Sequence, residues 1–427
     1  MSVLLSLLLT SVPLFLLAVP IAFALGISCL VIMIVWPSQP FFIVAQKTLT
    51  GMDSYTLLAI PFFMLAAEVM NSGDITQRII DAFNALFGRF RGSLAMCDVA
   101  ANMFMAGISG SASADATAIG SVLIPAMVTD GYPAPFASAL TAVASICGPI
   151  IPPSIPLVIY GVITRTSILK LFVAGYVPGF LLGVLLWAYV WIIARRRGFH
   201  SRPPVRIGEA LKSFRRGIWA LMMPGVLVAG ILGGVFTVTE LGAVLVIYAL
   251  FVGIFMHRAF RRDEFFAMLQ RVAVNSANVL FIVGVSSLLG YLLVVHGIPQ
   301  MVPDFIFGLT HNKYVILVLL NVVFLIAGAF LDSTPATIIL VPILLPLVRG
   351  LGIDFTHFGL MVVFNLMIGA VHPPVGLVLY ICTTIGRTNM INVLIEMIPM
   401  FFILFLVLGL ITYVPETVLW LPRHLGM

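Results

Sequence analysis

The sequence predicts an all-α polytopic membrane protein: an inverted repeat of about five spans per half, each half with a re-entrant helical hairpin and a broken helix. Of the 427 residues, 61% are hydrophobic and 9% are charged, too few polar side chains to cover a soluble domain. Apolar runs long enough to cross about 30 Å of hydrocarbon as helices recur along the chain. The period-two alternation typical of barrel strands is absent, so the spans are predicted to be helical.

A repeated pattern of glycine and proline predicts the two halves. The first set is Gly107, Pro125, Gly131, Gly148, Pro152 and Pro153, and the second is Gly328, Pro346, Gly352, Gly369, Pro373 and Pro374. Every pair is separated by 221 residues, as in 328 − 107 and 374 − 153. Duplicated halves with interrupted apolar segments are typical of secondary transporters that bind their substrate at the repeat interface.

The elements of the two halves are predicted in the same order. Each half has two closely joined spans (3–35; 218–256), a third span (53–70; 272–296), an amphipathic arm (74–92; 299–312), two short helices with a polar tip (93–108 and 114–128; 314–330 and 335–349), an interrupted span (134–162; 357–381) and a last span (168–193; 391–413). The short helices have about fifteen residues, or about 23 Å, which does not cross the bilayer. Each pair is therefore predicted to be a re-entrant hairpin with a buried tip.

Charge predicts the orientation. The connection 195–216 is rich in arginine and is placed in the cytoplasm by the positive-inside rule. Five spans per half, an odd number, invert the second half, so hairpin 93–128 opens to the cytoplasm and hairpin 314–349 opens outside. Both termini are then outside, unless 3–35 is a single span, which would move the N-terminus inside.

This order divides the chain into scaffold and transport parts. The predicted parts are scaffold helices (1–73), a cytoplasmic-side arm (74–92), the first half of the transport domain (93–194), a basic cytoplasmic loop (195–216), scaffold helices (217–298), a periplasmic-side arm (299–313) and the second half of the transport domain (314–427).

Polar residues at the hairpin tips and backbone breaks are the candidate site. The tips contain Ser109, Ser111 and Ser113 in one half and Asp332, Ser333 and Thr334 in the other, with Asp115 and Thr337 just beyond. Hydroxyls, carboxylates and the carbonyls freed at Gly-Pro breaks are suitable ligands for Na⁺ within a membrane. Small residues and prolines at any single position are better explained by packing and kinks. Their equal spacing in two copies favours a symmetric ion and substrate site, with an anion favoured at the starts of the half-helices.

Other charged residues in apolar runs leave alternatives open. Asp98 and Glu68 are as compatible with salt-bridge or interfacial roles as with a function. Arg165 and Arg387 could contact a substrate carboxylate, but snorkelling at the end of a span explains them better. His372 is better explained by a hydrogen bond to an unwound carbonyl than by proton coupling.

No motif indicates catalysis. The sequence lacks a Walker A pattern, a Cys/His zinc spacing and a nucleophile–base cluster, so an ion gradient or a partner must supply the energy. A membrane enzyme acting on lipid and a non-transporting scaffold are the alternatives from other classes. Polar groups within the membrane in two copies argue against a scaffold.

Several motifs together resemble one family. They are Gly107-Ile108-Ser109-Gly110-Ser111 with Ala114-Asp115, the break from Gly148 to Ser154, Leu331-Asp332-Ser333-Thr334-Pro335 and His372-Pro373-Pro374-Val375-Gly376. Together they resemble the large membrane subunit (the M, or DctM-like, subunit) of tripartite ATP-independent periplasmic (TRAP) transporters, and the likeness covers essentially the whole chain.

The resemblance implies an elevator-type carrier of the ion-transporter superfamily in the bacterial inner membrane. Such a carrier imports organic anions, for example a C4-dicarboxylate or sialic acid, and uses Na⁺ as the coupling ion with no other cofactor. It implies two partners, a small four-helix membrane subunit and a soluble periplasmic substrate-binding protein. The alternative is a stand-alone carboxylate carrier or antiporter of the same superfamily, coupled to protons or Na⁺.

The resemblance also implies three sets of site residues. Sodium site 1 comprises Ser109, Gly110, Ser111, Ser113, Asp115, Gly148 and Pro152; sodium site 2 comprises Asp332, Ser333, Thr334, Thr337, Gly369 and Pro373; the substrate site comprises Ser111, Ser154, Thr334, Val375, Arg165 and Arg387. Asp115 has an alternative role as a cap of its half-helix. The sequence does not identify the anion.

Overall fold

Apolar segments without strand-like alternation fold as helices because a helix satisfies its backbone hydrogen bonds within one segment. The computed structural model describes residues 3–17, 19–71, 75–88, 90–199, 207–256 and 262–427, and within these ranges it has helices and no strand. Seven of the described helices are long and apolar enough to cross a membrane, or eight spans if one bent pair counts as a span. The predicted all-helical membrane fold is confirmed.

The helices fall into a first half, a connecting helix and a second half. In the first half they are α1 (Val3–Leu16), α2 (Ile21–Val35), α3 (Phe42–Met52), α4 (Ala59–Asn71), α5 (Ile75–Phe87), α6 (Ser93–Ser109), α7 (Ala112–Thr129), α8 (Ala134–Ala144), α9 (Ile155–Thr164) and α10 (Ile168–Arg196). Helix α11 (Ile207–Leu221) connects the halves. In the second half they are α12 (Met223–Leu232), α13 (Val238–Phe251), α14 (Arg262–Val295), α15 (Ile298–Leu309), α16 (Lys313–Phe330), α17 (Ser333–Gly350), α18 (Phe355–Ala370), α19 (Leu377–Ile385), α20 (Met390–Tyr413) and α21 (Glu416–His424).

The repeat is visible in where equivalent helices begin. The second hairpin helices, α7 and α17, begin at Ala112 and Ser333, 221 residues apart. After the break the spacing becomes 222, because α9 and α19 begin at Ile155 and Leu377. The second half therefore has one extra residue at the break, beside Val375, and the repeat is otherwise gap-free through the site.

Two ion pairs show that the halves are inverted. Arg271 Nε, near the start of α14, lies 2.9 Å from Glu68 Oε1, near the end of the equivalent helix α4. Arg197 Nη2, just after α10, lies 2.8 Å from Glu396 Oε2, in the second turn of the equivalent helix α20. In both pairs the end of one helix lies beside the start of its repeat partner, so equivalent helices run antiparallel.

A continuous seam joins α3 of the first half to α14 of the second half. Along α14, Tyr291 donates a hydrogen bond of 2.9 Å to Gln39 Oε1 before α3. A Cβ added at Gly51 in α3 would lie 2.4 Å from Ser287 Cβ. The absence of a side chain at Gly51 thus allows α3 to pack closely against α14, and α3 and α4 meet at a bend of 59° along this seam.

Some expected boundaries are wrong. The third spans, expected at 53–70 and 272–296, begin earlier, as the bent pair from Phe42 and as α14 from Arg262. The connection 195–216 is helical through Arg196 and again from Ile207, while 200–206 lie outside the described residues. Charged residues mark the water interface, but they do not end a helix, since Arg and Glu are good helix formers. Segment 3–35 forms two packed helices, α1 and α2.

The hairpin helices are also longer than expected. They have 17, 18, 18 and 18 residues instead of about fifteen, because helical structure continues to the polar tips. Length alone therefore does not make them re-entrant. Each hairpin packs against the broken span of the other half: α7 contacts α19, and α17 contacts α9.

A buried polar contact joins α6 to α8. Asp98 in α6 is fully buried, and its Oδ1 accepts a hydrogen bond of 3.0 Å from Thr141 in α8. The sequence left a salt bridge or an interfacial position open for Asp98. Neither fits a fully buried carboxylate that is hydrogen-bonded to Thr141.

The seam predicts a specific cross-link. In a variant with the four native cysteines replaced, Gly51→Cys with Ser287→Cys should form a disulfide after mild oxidation. The helices need to separate by about 1 Å to reach the usual Cβ–Cβ distance of a disulfide. The fraction of the two cysteines that is protected from a maleimide-PEG reagent measures the formation of this disulfide. The control pair, Gly51→Cys with Val274→Cys, lies about 20 Å farther along α14 and should stay fully reactive; equal protection of both pairs would contradict the antiparallel seam.

Candidate ion and anion site

The tip of the first hairpin rests on the first backbone break. Helix α6 ends at Ser109, and Gly110 turns the chain with φ 64°, a left-handed conformation that suits glycine. A Cβ at Gly110 would lie 2.4 Å from the carbonyl oxygen of Pro153. Only glycine therefore allows this turn and this contact together.

The second tip rests on the second break in an equivalent way. Gly369 would place a Cβ 2.4 Å from the carbonyl carbon of Gly328 in α16. The Gly376 N–H, at the start of α19, donates a hydrogen bond of 3.5 Å to the Ala329 carbonyl. Gly328 and Gly369 of the repeated pattern are thus a point of backbone contact between a hairpin and a broken span, whereas Gly110 makes its contact without a glycine at the equivalent position, Leu331.

The breaks leave backbone carbonyls without partners. After α8 a short 3₁₀ turn, Ser145–Cys147, leads into an irregular stretch that ends at Ser154, the N-cap of α9. Within the described chain the carbonyl oxygens of Gly148 and Pro152 accept no hydrogen bond. In the second half the Gly369 carbonyl accepts a bond of 2.9 Å from the His372 N–H, so Gly369 belongs to the last turn of α18. His372 Nδ1 in turn contacts the Pro373 carbonyl oxygen at 2.6 Å, as the sequence analysis favoured.

Asp115 is the unusual residue of the first site. Its side chain is 0% exposed, and neither carboxylate oxygen has a hydrogen-bond partner among the described residues. A Cβ at Gly148 would lie 2.6 Å from Asp115 Oδ2, so the carboxylate lies against the break. The Ser109 hydroxyl lies close enough to stabilise the charge of the carboxylate, and it also lies 3.5 Å from the Ser111 carbonyl oxygen. One neighbouring hydroxyl does not satisfy a fully buried carboxylate, which requires a bound cation or a proton.

Asp115 does not cap its helix. The N-cap of α7 is Ser111, whose Oγ accepts a hydrogen bond of 3.4 Å from the Ala114 N–H. The same Oγ lies 3.1 Å from Ser113 Oγ, so hydroxyl groups are clustered at the tip. The capping alternative for Asp115 is therefore excluded.

The two halves place their acids differently. Asp332 is the N-cap of α17 and is exposed to the cavity at the tip, with Ser333 and Thr334 buried beside it. Thr337 is fully buried, and its hydroxyl has no partner among the described residues. With the 221-residue spacing, Asp332 is equivalent to Ser111 and not to Asp115. The backbone is symmetric here, but the carboxylates are not.

A cavity of about 900 Å³ lies between the tips, the breaks and the helices α4 and α14. The first residues of four helices, α7, α9, α17 and α19, line it. Helix N-termini carry partial positive charge and unpaired N–H groups. Their convergence produces a region suited to an anion.

The predicted site residues divide into two layers. The cavity is lined by Ser109, Gly110, Ser111, Ser113, Asp332, Ser333, Thr334 and Val375. Outside its lining are Asp115, Gly148, Pro152, Ser154, Thr337, Gly369 and Pro373. The two side chains with unpaired oxygens, Asp115 and Thr337, are thus buried behind the cavity. The tip hydroxyls line the cavity.

The two arginines predicted for the substrate lie elsewhere. Arg165 and Arg387 follow the last residues of their half-helices, are exposed, and adopt left-handed backbones with φ of 56° and 47°. They are separated by 222 residues, so they are true repeat partners. Neither lines the cavity in this conformation.

One side of the cavity was not expected from the sequence. Helix α4 contributes Glu68 and Asn71 to the lining, and α14 contributes Asn275 and Asn278. Two asparagines three residues apart in an apolar helix form one polar face, a signal that the sequence contains.

Comparison with known proteins agrees with this architecture. The sequence model of the family described as "Tripartite ATP-independent periplasmic transporter, DctM component" matches residues 8–417. The sialic acid TRAP transporter large permease protein SiaM of Vibrio cholerae is 36% identical over 404 residues, covering 95% of each chain. The C4-dicarboxylate TRAP transporter large permease protein DctM of Pseudomonas aeruginosa is also 36% identical, again covering 95% of each chain.

A solved structure has the same fold. The crystal structure of the YdaH transporter of Alcanivorax borkumensis superposes with a TM-score of 0.54 at 16% identity, covering 86% of each chain. These relatives are transporter components and not enzymes. The chain belongs to the DctM family of large membrane subunits of tripartite ATP-independent periplasmic transporters.

Proposed function

We propose that this chain is the carrier subunit of a Na⁺-coupled importer of an organic anion in the bacterial inner membrane. The observation that carries the proposal is Asp115, a buried carboxylate with two unpaired oxygens against the unwound backbone at Gly148. Na⁺ satisfies such oxygens together with free carbonyls, as at other broken membrane helices.

A second ion site is proposed around the other tip. The unpaired hydroxyl of Thr337 supplies one buried oxygen, and Asp332 supplies charge at the cavity surface. Na⁺ bound at the two sites neutralises Asp115, which lies behind the first tip, and Asp332, which lies at the second tip. It thereby leaves the positive ends of the four half-helices free to hold the substrate carboxylate.

The transport step is proposed to be an elevator movement. The hairpins and broken spans, 93–196 and 313–413, slide as a block along scaffold helices that include α4, α12 and α14. The cavity lies at the boundary of these two bodies, as the movement requires. A direct contact across the boundary is Gly107, whose added Cβ would lie 3.1 Å from Pro224 Cβ in α12.

The relatives support the partners and the class of substrate. Large permease proteins named for sialic acid and for C4-dicarboxylates are equally similar to this chain. We therefore propose an organic anion delivered by a periplasmic binding protein, and a small membrane subunit docked on the scaffold. Both termini are proposed to be periplasmic.

Replacement of Asp115 should weaken Na⁺ binding without affecting folding. Asp115→Asn keeps the shape but removes the charge, so the Na⁺ concentration for half-maximal thermal stabilisation of the purified protein should rise about tenfold or more, which corresponds to about 1.4 kcal/mol. The measurement is the melting temperature in nanodiscs titrated with NaCl at constant ionic strength with choline chloride.

The matched control is Asp304→Asn, an exposed carboxylate on α15, which should leave the Na⁺ titration unchanged. An unchanged titration for Asp115→Asn as well would remove Asp115 from the ion site.

A cross-link between the two bodies should stop transport. Gly107→Cys with Pro224→Cys joins α6 to the scaffold at a distance close to that of a disulfide, so oxidation should abolish Na⁺-dependent uptake in proteoliposomes containing the partner subunits, and reduction should restore it. The scaffold–scaffold pair Gly51→Cys with Ser287→Cys is the control and should not block uptake. Full uptake by the oxidised Gly107–Pro224 variant would rule out the elevator movement.

A further inference from the structure

The cavity has two chemically different walls. The wall formed by the transport domain presents four helix N-termini and the tip hydroxyls. The scaffold wall presents the carboxamides of Asn71, Asn275 and Asn278 together with Glu68. A substrate that fills the space contacts both walls, so the second wall contributes to the choice of substrate.

The side-chain amides of two asparagines on α14 do not stabilise the fold through hydrogen bonds to other described residues. Asn275 and Asn278 lie three residues apart on one face, are exposed to the cavity, and have no hydrogen-bond partner among the described residues. Polar side chains within a membrane are costly unless they meet water, protein or a ligand. Each amide offers two donors and one carbonyl acceptor, which match a hydroxyl because a hydroxyl both donates and accepts.

The scaffold wall has no available positive charge. Among the described residues that line the cavity there is no lysine, arginine or histidine. Arg271, on the same helix as the two asparagines, is paired with Glu68 at 2.9 Å. A second carboxylate reaching this wall would meet neutral amides and the acid Glu68, whereas carboxylates are bound most strongly by charged donors.

We propose that Asn275 and Asn278 are specificity-determining residues that hydrogen-bond substrate hydroxyls, and that the substrate is a hydroxylated monocarboxylate and not a dicarboxylate. The single carboxylate lies at the helix N-termini, and the hydroxylated end faces the scaffold wall. This inference rests on the proposed Na⁺-coupled carrier function. It adds the chemical class of the anion and a set of residues that none of the tip or break motifs contains.

A panel of carboxylic acids tests the proposed class of substrate. The purified full-length chain in nanodiscs, with saturating Na⁺, is titrated with D-gluconate and N-acetylneuraminate, and in parallel with succinate and fumarate; the readout is the shift in melting temperature. At least one hydroxylated monocarboxylate should bind about tenfold or more tightly than either dicarboxylate. A site that hydrogen-bonds substrate hydroxyls rejects analogues without them, because its polar groups are then left unpaired.

Substitutions on α14 test the proposed role of Asn275 and Asn278 in substrate binding. Asn275→Leu with Asn278→Leu should weaken binding of the preferred acid about tenfold, as expected for two lost neutral hydrogen bonds, and leave the Na⁺ response without anion unchanged. Asn275→Arg, which retains a polar wall, should shift the preference towards succinate. The control is Ala277→Leu, an exposed position on the same helix that does not line the cavity, and it should behave as the unmodified protein.

The outcomes separate the two levels of the proposal. Succinate or fumarate binding as tightly as the monocarboxylates would overturn the substrate class, while a Na⁺-dependent carrier would stand. Unchanged binding in the double leucine variant would remove the amides from the site. The absence of a Na⁺-dependent response to any of the acids would overturn the proposed function itself.

Discussion

Backbone that is not helical must find partners within the hydrocarbon, and this constraint explains most of the molecule. A break in a span frees N–H and carbonyl groups that lipid cannot satisfy. Here each break is covered by the tip of a hairpin from the same half. Gly110 against Pro153 and Gly369 against Gly328 are the contacts that allow it. A side chain at either glycine would lift the tip off the break and leave the backbone groups of the break uncovered.

The inversion brings the tips of both hairpins to one cavity. Because equivalent helices run antiparallel, as the Glu68–Arg271 and Arg197–Glu396 pairs show, the hairpins enter from opposite sides and their tips line one cavity. Four half-helices then begin at the same place. The partial positive charge of these N-termini favours an anion, and the proposed Na⁺ ions would lie behind the tips. The symmetric backbone carries asymmetric side chains, with Asp115 buried in one half and Asp332 at the cavity in the other.

Much of this could be predicted from the sequence because glycine and proline mark backbone geometry directly. The 221-residue spacing located both hairpin tips and both breaks, and the breaks occur where Pro152 and Pro373 interrupt the runs. Helix ends at the water interface could not be located from the sequence, since α14 includes Arg262, Asp263 and Glu264 and α10 continues through Arg196. The scaffold wall of the cavity was missed because Asn275 and Asn278 have no repeat signal, and only packing between α4, α14 and the tips makes them part of one surface. The extra residue at the second break was also not predicted, because it shows only in the 222-residue spacing between the starts of α9 and α19.

The account depends most directly on the opposite entry of the two hairpins. Thr129 and Gly350 are exposed, lie at the open ends of the hairpins, and are related by 221 residues, while the four native cysteines are buried. Thr129→Cys and Gly350→Cys, each treated with a membrane-impermeant maleimide in cells with a permeabilised outer membrane, measure the side of entry. The account predicts labelling of Gly350→Cys in intact inner membranes and labelling of Thr129→Cys only after the inner membrane is opened. Labelling of both positions from the same side would contradict it.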